Sequence, residues 1–108
     1  MTGPRRDRRE APSRFKQRVQ EWAERLRVSP KQVRLQRMSR KWASCSTAGR
    51  VTFSTALLAQ PRGFQTYVVV HELLHLRVPN HGQLFKTYLS AFVPGWRRQA
   101  SSAKYISL

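Results

Sequence analysis

Five consecutive residues, His71-Glu72-Leu73-Leu74-His75, carry the chemistry that stands out first in this chain. Two histidines four positions apart on a helix are separated by about 40° of rotation and ~6 Å of rise, so both imidazoles can reach one metal ion. Glu72, turned by about 100° from His71, cannot join them as a ligand on that face, but it can take a proton from a water on the ion as general base. H-E-x-x-H is the pattern of zinc hydrolases. It also accounts for a carboxylate otherwise out of place: Glu72 is the only Asp or Glu beyond residue 24. An unpaired carboxylate on an apolar helix is costly unless a cation lies beside it.

A catalytic zinc site takes three protein ligands and leaves a fourth position for water. No Asp or Glu follows Glu72, so a later carboxylate cannot be the third ligand, and His81 is the one histidine left. It stands six residues after His75, beyond Pro79-Asn80, where the chain leaves the helix and can fold back toward the metal. His71, His75 and His81 are therefore the expected Zn2+ ligands and Glu72 the expected catalytic residue. Metzincins share this spacing as H-E-x-x-H-x-x-G-x-x-H, but Val78 occupies the glycine position here and no Met follows His81. Cys45, the single cysteine, would close the open position if it were a fourth ligand, and core packing suits it better.

The elements that must position these residues follow from periodicity. Residues 1–12 have no apolar repeat and read as a flexible Arg-rich arm. Ser13 is placed to cap a helix with Phe15, Val19, Trp22, Ala23 and Leu26 at helical spacing. Three short strands are expected, around Val33 to Met38, over Trp42 to Ser46 and over Arg50 to Thr55; the last two flank a Thr47-Ala48-Gly49 turn. Phe64 to Val78 reads as a buried helix, apolar nearly all round, and Gly82 to Phe92 as an amphipathic one. The expected fold class is α+β, a single domain over residues 13–108 with a small, mostly antiparallel three-stranded sheet packed on helices, the H-E-x-x-H helix among them.

Charge and composition bound the partners. Among 108 residues, 21 Lys and Arg face 5 Asp and Glu, a net charge of +16. Such a field permits non-specific association with nucleic acid. No apolar run is long enough to span a membrane, the first thirty residues lack the apolar stretch of a secretory signal, and the one cysteine suits a reducing compartment, so a cytoplasmic location is expected.

Met38 to Ser46, Gly49 to Phe53, Tyr67 to Leu76 and Pro79 to Gly82 together resemble the YgjP-like metallopeptidase domain, in order and at its spacing over roughly residues 28–96. More distantly, the chain is similar to the SprT-like proteases associated with DNA. The resemblance implies a compact zincin-like fold, zinc at His71, His75 and His81, and Glu72 as catalytic base. Lys41 and Ala43 stand where the family more often has Arg and Gly, and Gly82 where Ser is common; none is a ligand. The expected activity is zinc-dependent hydrolysis of a peptide or protein substrate. Zincins bind extended peptide along a strand edge, so the strand carrying Trp42, Ser44 and Ser46, or else Arg50 to Thr55, is expected to hold substrate main chain. Two alternatives keep the metal: a nucleotide or phosphoanhydride hydrolase drawn by the positive field, and a nucleic-acid-associated module with structural zinc.

Overall fold

The first helix, α1 (Pro12–Leu26), buries Phe15, Val19, Ala23 and Leu26, the stripe that its spacing predicts. It starts two residues earlier than a Ser13 cap would allow. Ala11 is the capping residue, because Pro12 fits the first helical position, where its φ is pre-set and its missing N–H is not needed. The computed structural model describes residues 10–101, so residues 1–9 of the expected arm, and 102–108 of the expected domain, lie outside the described residues. Glu10 is tied down: its N–H donates to the Leu58 carbonyl at 3.0 Å and its carboxylate accepts from Arg18 at 2.7 Å.

Three strands follow, β1 (Gln32–Gln36), β2 (Ala43–Cys45) and β3 (Arg50–Ser54), in the spatial order β1-β3-β2. Gly49 takes φ 89° in the turn between β2 and β3, a left-handed conformation that suits glycine. β2 pairs antiparallel with β3, whereas β1 pairs parallel with it, Val33 opposite Val51 and Leu35 opposite Phe53. The sheet is thus mixed, where a mostly antiparallel one was expected. The chain reverses twice, before β2 and after it, so β3 regains the direction of β1 and lies between the other two. As the central strand it is buried from Val51 to Ser54.

A 3₁₀ turn (Thr55–Ala59), capped by the Ser54 hydroxyl accepting from the Ala56 N–H at 3.2 Å, leads to α2 (Arg62–Leu74), α3 (Gln83–Phe92) and α4 (Trp96–Ala100). The architecture is α+β, as expected. Along α2 every residue from Phe64 to Leu74 except Thr66 is buried, which is what an all-round apolar helix requires. The helix ends four residues before the expected Val78. The N–H groups of His75, Leu76 and Arg77 bond to carbonyls only three residues back, tightening the last turn before Pro79. The core joins α1, α2 and the sheet, with the Phe15 ring set edge-on to Phe53 at 5.4 Å. Among the described residues no helix is long and apolar enough to cross a membrane.

Candidate metal centre

The last turn of α2 and the turn that follows bring together the residues singled out by spacing. His71 and Glu72 lie in α2, His75 is its C-terminal capping residue, and His81 stands just before the Gly82 that caps α3. The ligand-type nitrogens of His71, His75 and His81 all lie within 4.8 Å of one another. The Nε2 atoms of His71 and His81 are 3.2 Å apart. A tetrahedral ion with bonds of about 2.0–2.1 Å places its nitrogen ligands about 3.3 Å apart, so this pair has the separation of two corners of such a site.

The polar atoms here are short of partners. His71 Nδ1, both carboxylate oxygens of Glu72, and His75 Nε2 are buried without a hydrogen bond. His71 Nδ1 lies 3.3 Å from Glu72 Oε2, but not in bonding geometry. Native interiors leave few buried polar groups unpaired, because each costs about 1–3 kcal/mol. A cation held by the imidazoles would give His75 Nε2 its partner and set an opposite charge beside the Glu72 carboxylate. The donor set of neutral nitrogens suits zinc among the common divalent ions.

Burial sets the protonation states in a direction that supports this. It lowers the His71 imidazole to about 4, and it lowers His75 and His81 as well, in His75 against the opposing pull of Glu72. All three therefore present lone pairs at neutral pH. Glu72, 0% exposed, is pushed up to about 7 by burial, with His75 and Lys41 pulling it back in part. A cation held by the imidazoles would pull Glu72 back down, toward the ionised form that accepts a proton.

Two contributors were not apparent from spacing. Phe85 of α3 contacts all three imidazoles, with ring centroids at 5.2, 5.1 and 4.7 Å from His71, His75 and His81. It reads as one of several apolar residues on an amphipathic helix, and only the fold reveals that the imidazoles lean on it. The charges of Lys41, two residues before β2, and of Cys45, at its end, both interact with the Glu72 carboxylate. Cys45 is not among the clustered ligand atoms.

The expected substrate strand divides. β3 lies between β1 and β2 and has no free edge, so Arg50 to Thr55 cannot receive a peptide strand. β2 is an edge strand and keeps that possibility. Its flanking residues are already engaged in the fold: the Trp42 ring packs edge-on to Phe64 at 5.1 Å, and the Ser46 hydroxyl accepts from the Arg50 N–H at 3.2 Å, closing the hairpin. Ser44 lies opposite Thr52 within β2 and is half-buried. A concavity of about 590 Å³, lined by Arg27, Lys31, Gly49 and Arg77 among others, includes none of the clustered histidines or Glu72.

The sequence matches, over residues 5–104, the family described as "YgjP-like, metallopeptidase domain". Among solved structures it is similar in fold to the metallopeptidase zymogen of Pyrococcus abyssi abylysin, with a TM-score of 0.71 and 20% identity over 82% of this chain and 90% of that one. No curated protein matches it.

Proposed function

The chain belongs to the YgjP-like family of metallopeptidase domains, and from that premise we propose that it is a zinc peptidase in which His71, His75 and His81 hold the ion and Glu72 is the catalytic base. The observation that carries this reading is the cluster of imidazole nitrogens within 4.8 Å of one another beside a buried carboxylate with no hydrogen-bond partner. When bound, zinc supplies Lewis acidity: it polarises the scissile carbonyl and acidifies water. The rest falls to this chain's side chains. The imidazoles stay neutral by burial and offer their lone pairs. Glu72 accepts the proton of the attacking water at a carboxylate oxygen and returns it to the leaving amine. Its burial excludes bulk water, which keeps that proton on the reaction path. The free edge of β2, next to Lys41 and Cys45, holds the substrate main chain in extended form.

The same residues argue against the two alternatives. A Mg2+-dependent phosphoanhydride hydrolase needs several oxygen ligands, and the clustered donors are nitrogens. A structural zinc module needs a closed fourth position, and the clustered ligand atoms among the described residues come from three residues only.

Glu72→Gln tests the reading. The amide is close to isosteric and Glu72 is not a ligand, so the variant should fold and hold zinc as the parent does. Peptide hydrolysis should fall by about 10²- to 10⁴-fold, the usual consequence of losing a general base. An unchanged rate with zinc in place removes Glu72 from the mechanism.

A further inference from the structure

The concavity of about 590 Å³ lies apart from the metal centre, yet two of its walls continue elements that build it. Leu76 and Arg77, the two residues after His75, form one wall, and the Thr47–Gly49 turn that follows β2 forms another. Three exposed cations line it, Arg27, Lys31 and Arg77. No Asp or Glu lines it, and none of the three is in an ion pair among the described residues. Two of them are held in place. Arg77 donates from Nη1 to the Leu26 carbonyl at 2.9 Å, and its guanidinium lies over the Tyr88 ring at 5.1 Å. The Lys31 N–H donates to the Gly49 carbonyl at 2.8 Å, and a Cβ on Gly49 would meet the Lys31 side chain at 3.2 Å, so the glycine leaves room for the lysine stem. Arg27 ends α1 with φ 60°, where glycine is the usual residue. A cationic side chain stands there although the backbone disfavours any residue with a Cβ.

We propose that this concavity is a docking site for acidic side chains of the substrate, Asp or Glu standing a few residues from the scissile bond; the proposal rests on the peptidase reading above and on β2 as the substrate edge. β2 ends at Cys45 and the turn begins at Thr47, two residues or about 7 Å on at the usual rise of a strand. A peptide extended along β2 and continuing past its end therefore runs toward the basic walls. The charge fits: three cations without a counterion repel one another, and carboxylates set between them replace that repulsion by attraction. The net charge of +16 draws acidic segments in from a distance. The lining favours a peptide over a nucleic-acid strand. Half-buried Val28 and Leu76 offer apolar contact beside the cations, and no aromatic side chain lines the concavity for a base to stack on.

Three peptides of one length and one central sequence test it: one with a block of Glu before that sequence, one with the block after it, and one with Gln at all those positions. Binding to the zinc-loaded protein is read by fluorescence anisotropy, and cleavage as kcat and KM. At least one Glu peptide should bind about tenfold tighter than the Gln peptide at low ionic strength, since an exposed ion pair contributes about two- to threefold and three act together. The advantage should appear in KM and shrink toward one at about 0.5 M salt. Arg27→Gln with Lys31→Gln should remove most of it. Arg34→Gln with Arg37→Gln, which removes as many exposed charges outside the concavity, should leave it in place. Equal affinities for the three peptides, binding of none of them, or an equal loss in the Arg34 and Arg37 variant overturns the site. Tighter binding of a short oligothymidylate that depends on Arg27 and Lys31 overturns the choice of a peptide and assigns the concavity to a nucleic-acid backbone. Cleavage without a Glu preference upholds the peptidase reading and overturns this site. A Glu preference in binding, carried by Arg27 and Lys31 in a protein that cleaves none of the peptides, upholds the carboxylate site and overturns the peptidase reading.

Discussion

The two ends of α2 each bury a polar cluster, and they treat it in opposite ways. At the N-terminal end Gln65 is 2% exposed and fully engaged: its amide nitrogen donates to the carbonyls of Leu57 and Gln60 at 2.9 and 3.1 Å, and its oxygen accepts from Arg18 at 2.7 Å. Arg18 in turn donates to Glu10 and to the Thr66 hydroxyl. This cluster staples α1, the 3₁₀ turn and α2 together. At the C-terminal end His71, Glu72 and His75 are just as securely positioned, yet key atoms lack any partner. In the first cluster one described atom, Glu10 Oε2, lacks a partner, on a carboxylate whose other oxygen accepts from Arg18; in the second, four atoms lack one, both oxygens of the Glu72 carboxylate among them, and a bound cation would answer that charge. The difference between scaffold and site here lies in how far the buried polar atoms are satisfied, above all in whether the buried carboxylate has a cationic partner, not in burial.

The contrast is sharpest under loss of one member. His71→Ala removes a ligand and should weaken zinc binding on the order of a hundred- to a thousandfold, read by competition with a chelator, since a structural zinc site of four ligands is worth roughly 10–16 kcal/mol in all. The apo fold should lose about 1–3 kcal/mol, because the cavity left by a buried ring outweighs the relief of one unpaired nitrogen, Nδ1. If His71→Ala binds zinc as the parent does, the two ends of α2 no longer differ in kind.

A pH series on the metal-free protein reads the same contrast through linkage. Glu72 has a folded-state value of about 7, above its ordinary 4.5, so the folded chain holds the extra proton. Stability from this group is full below about 4.5 and is lost as pH rises through 7. His71 runs the other way: its folded value of about 4 lies below 6.5, so stability is full above 6.5 and is lost as pH falls toward 4. Glu72→Gln should therefore stabilise the apo protein more at pH 8 than at pH 4.5, by about 3 kcal/mol in denaturant melts. A gap that does not change with pH would mean that Glu72 is not desolvated.

Breaking the satisfied cluster should look different. Arg18→Met strands Glu10 and the Gln65 oxygen and should cost about 2–3 kcal/mol in chemical denaturation, by the same amount with and without zinc. Zinc affinity of the folded protein should not move. A drop in affinity would couple the two ends and undo the division between them.

The smallest effect concerns the ring on which the imidazoles rest. Phe85→Leu keeps an apolar side chain but loosens three contacts at once, and should weaken zinc about tenfold with little change in the fold, as loss of an orienting neighbour commonly does. Unaltered affinity in a calorimetric titration would make Phe85 core and nothing more.

What could be read from sequence alone follows the same division. The H-E-x-x-H ligands are local, four residues apart in one sequence motif, and His81 followed because no other His, Asp, Glu or Cys stands beyond His75. Helical stripes such as Phe15, Val19 and Leu26 were legible for the same reason. Arg18 and Gln65, 47 residues apart, meet only through the packing of α1 on α2, and no spacing rule connects them. The central place of β3 depends on β1 pairing across it in parallel, a tertiary choice that local turn signals do not encode. The early end of α2 reflects tightening toward Pro79, where periodicity alone carried the helix on to Val78.

The central claim, that the unsatisfied cluster is a three-histidine zinc centre with one open position, is tested most directly by X-ray absorption on the zinc-loaded protein. The account predicts one zinc per chain, a first shell of light atoms at about 2.0–2.1 Å with outer-shell scattering from three imidazoles, and a fall to two imidazoles in His81→Ala. A sulfur shell near about 2.3 Å, which would bring in Cys45, or three imidazoles persisting in His81→Ala, would contradict it.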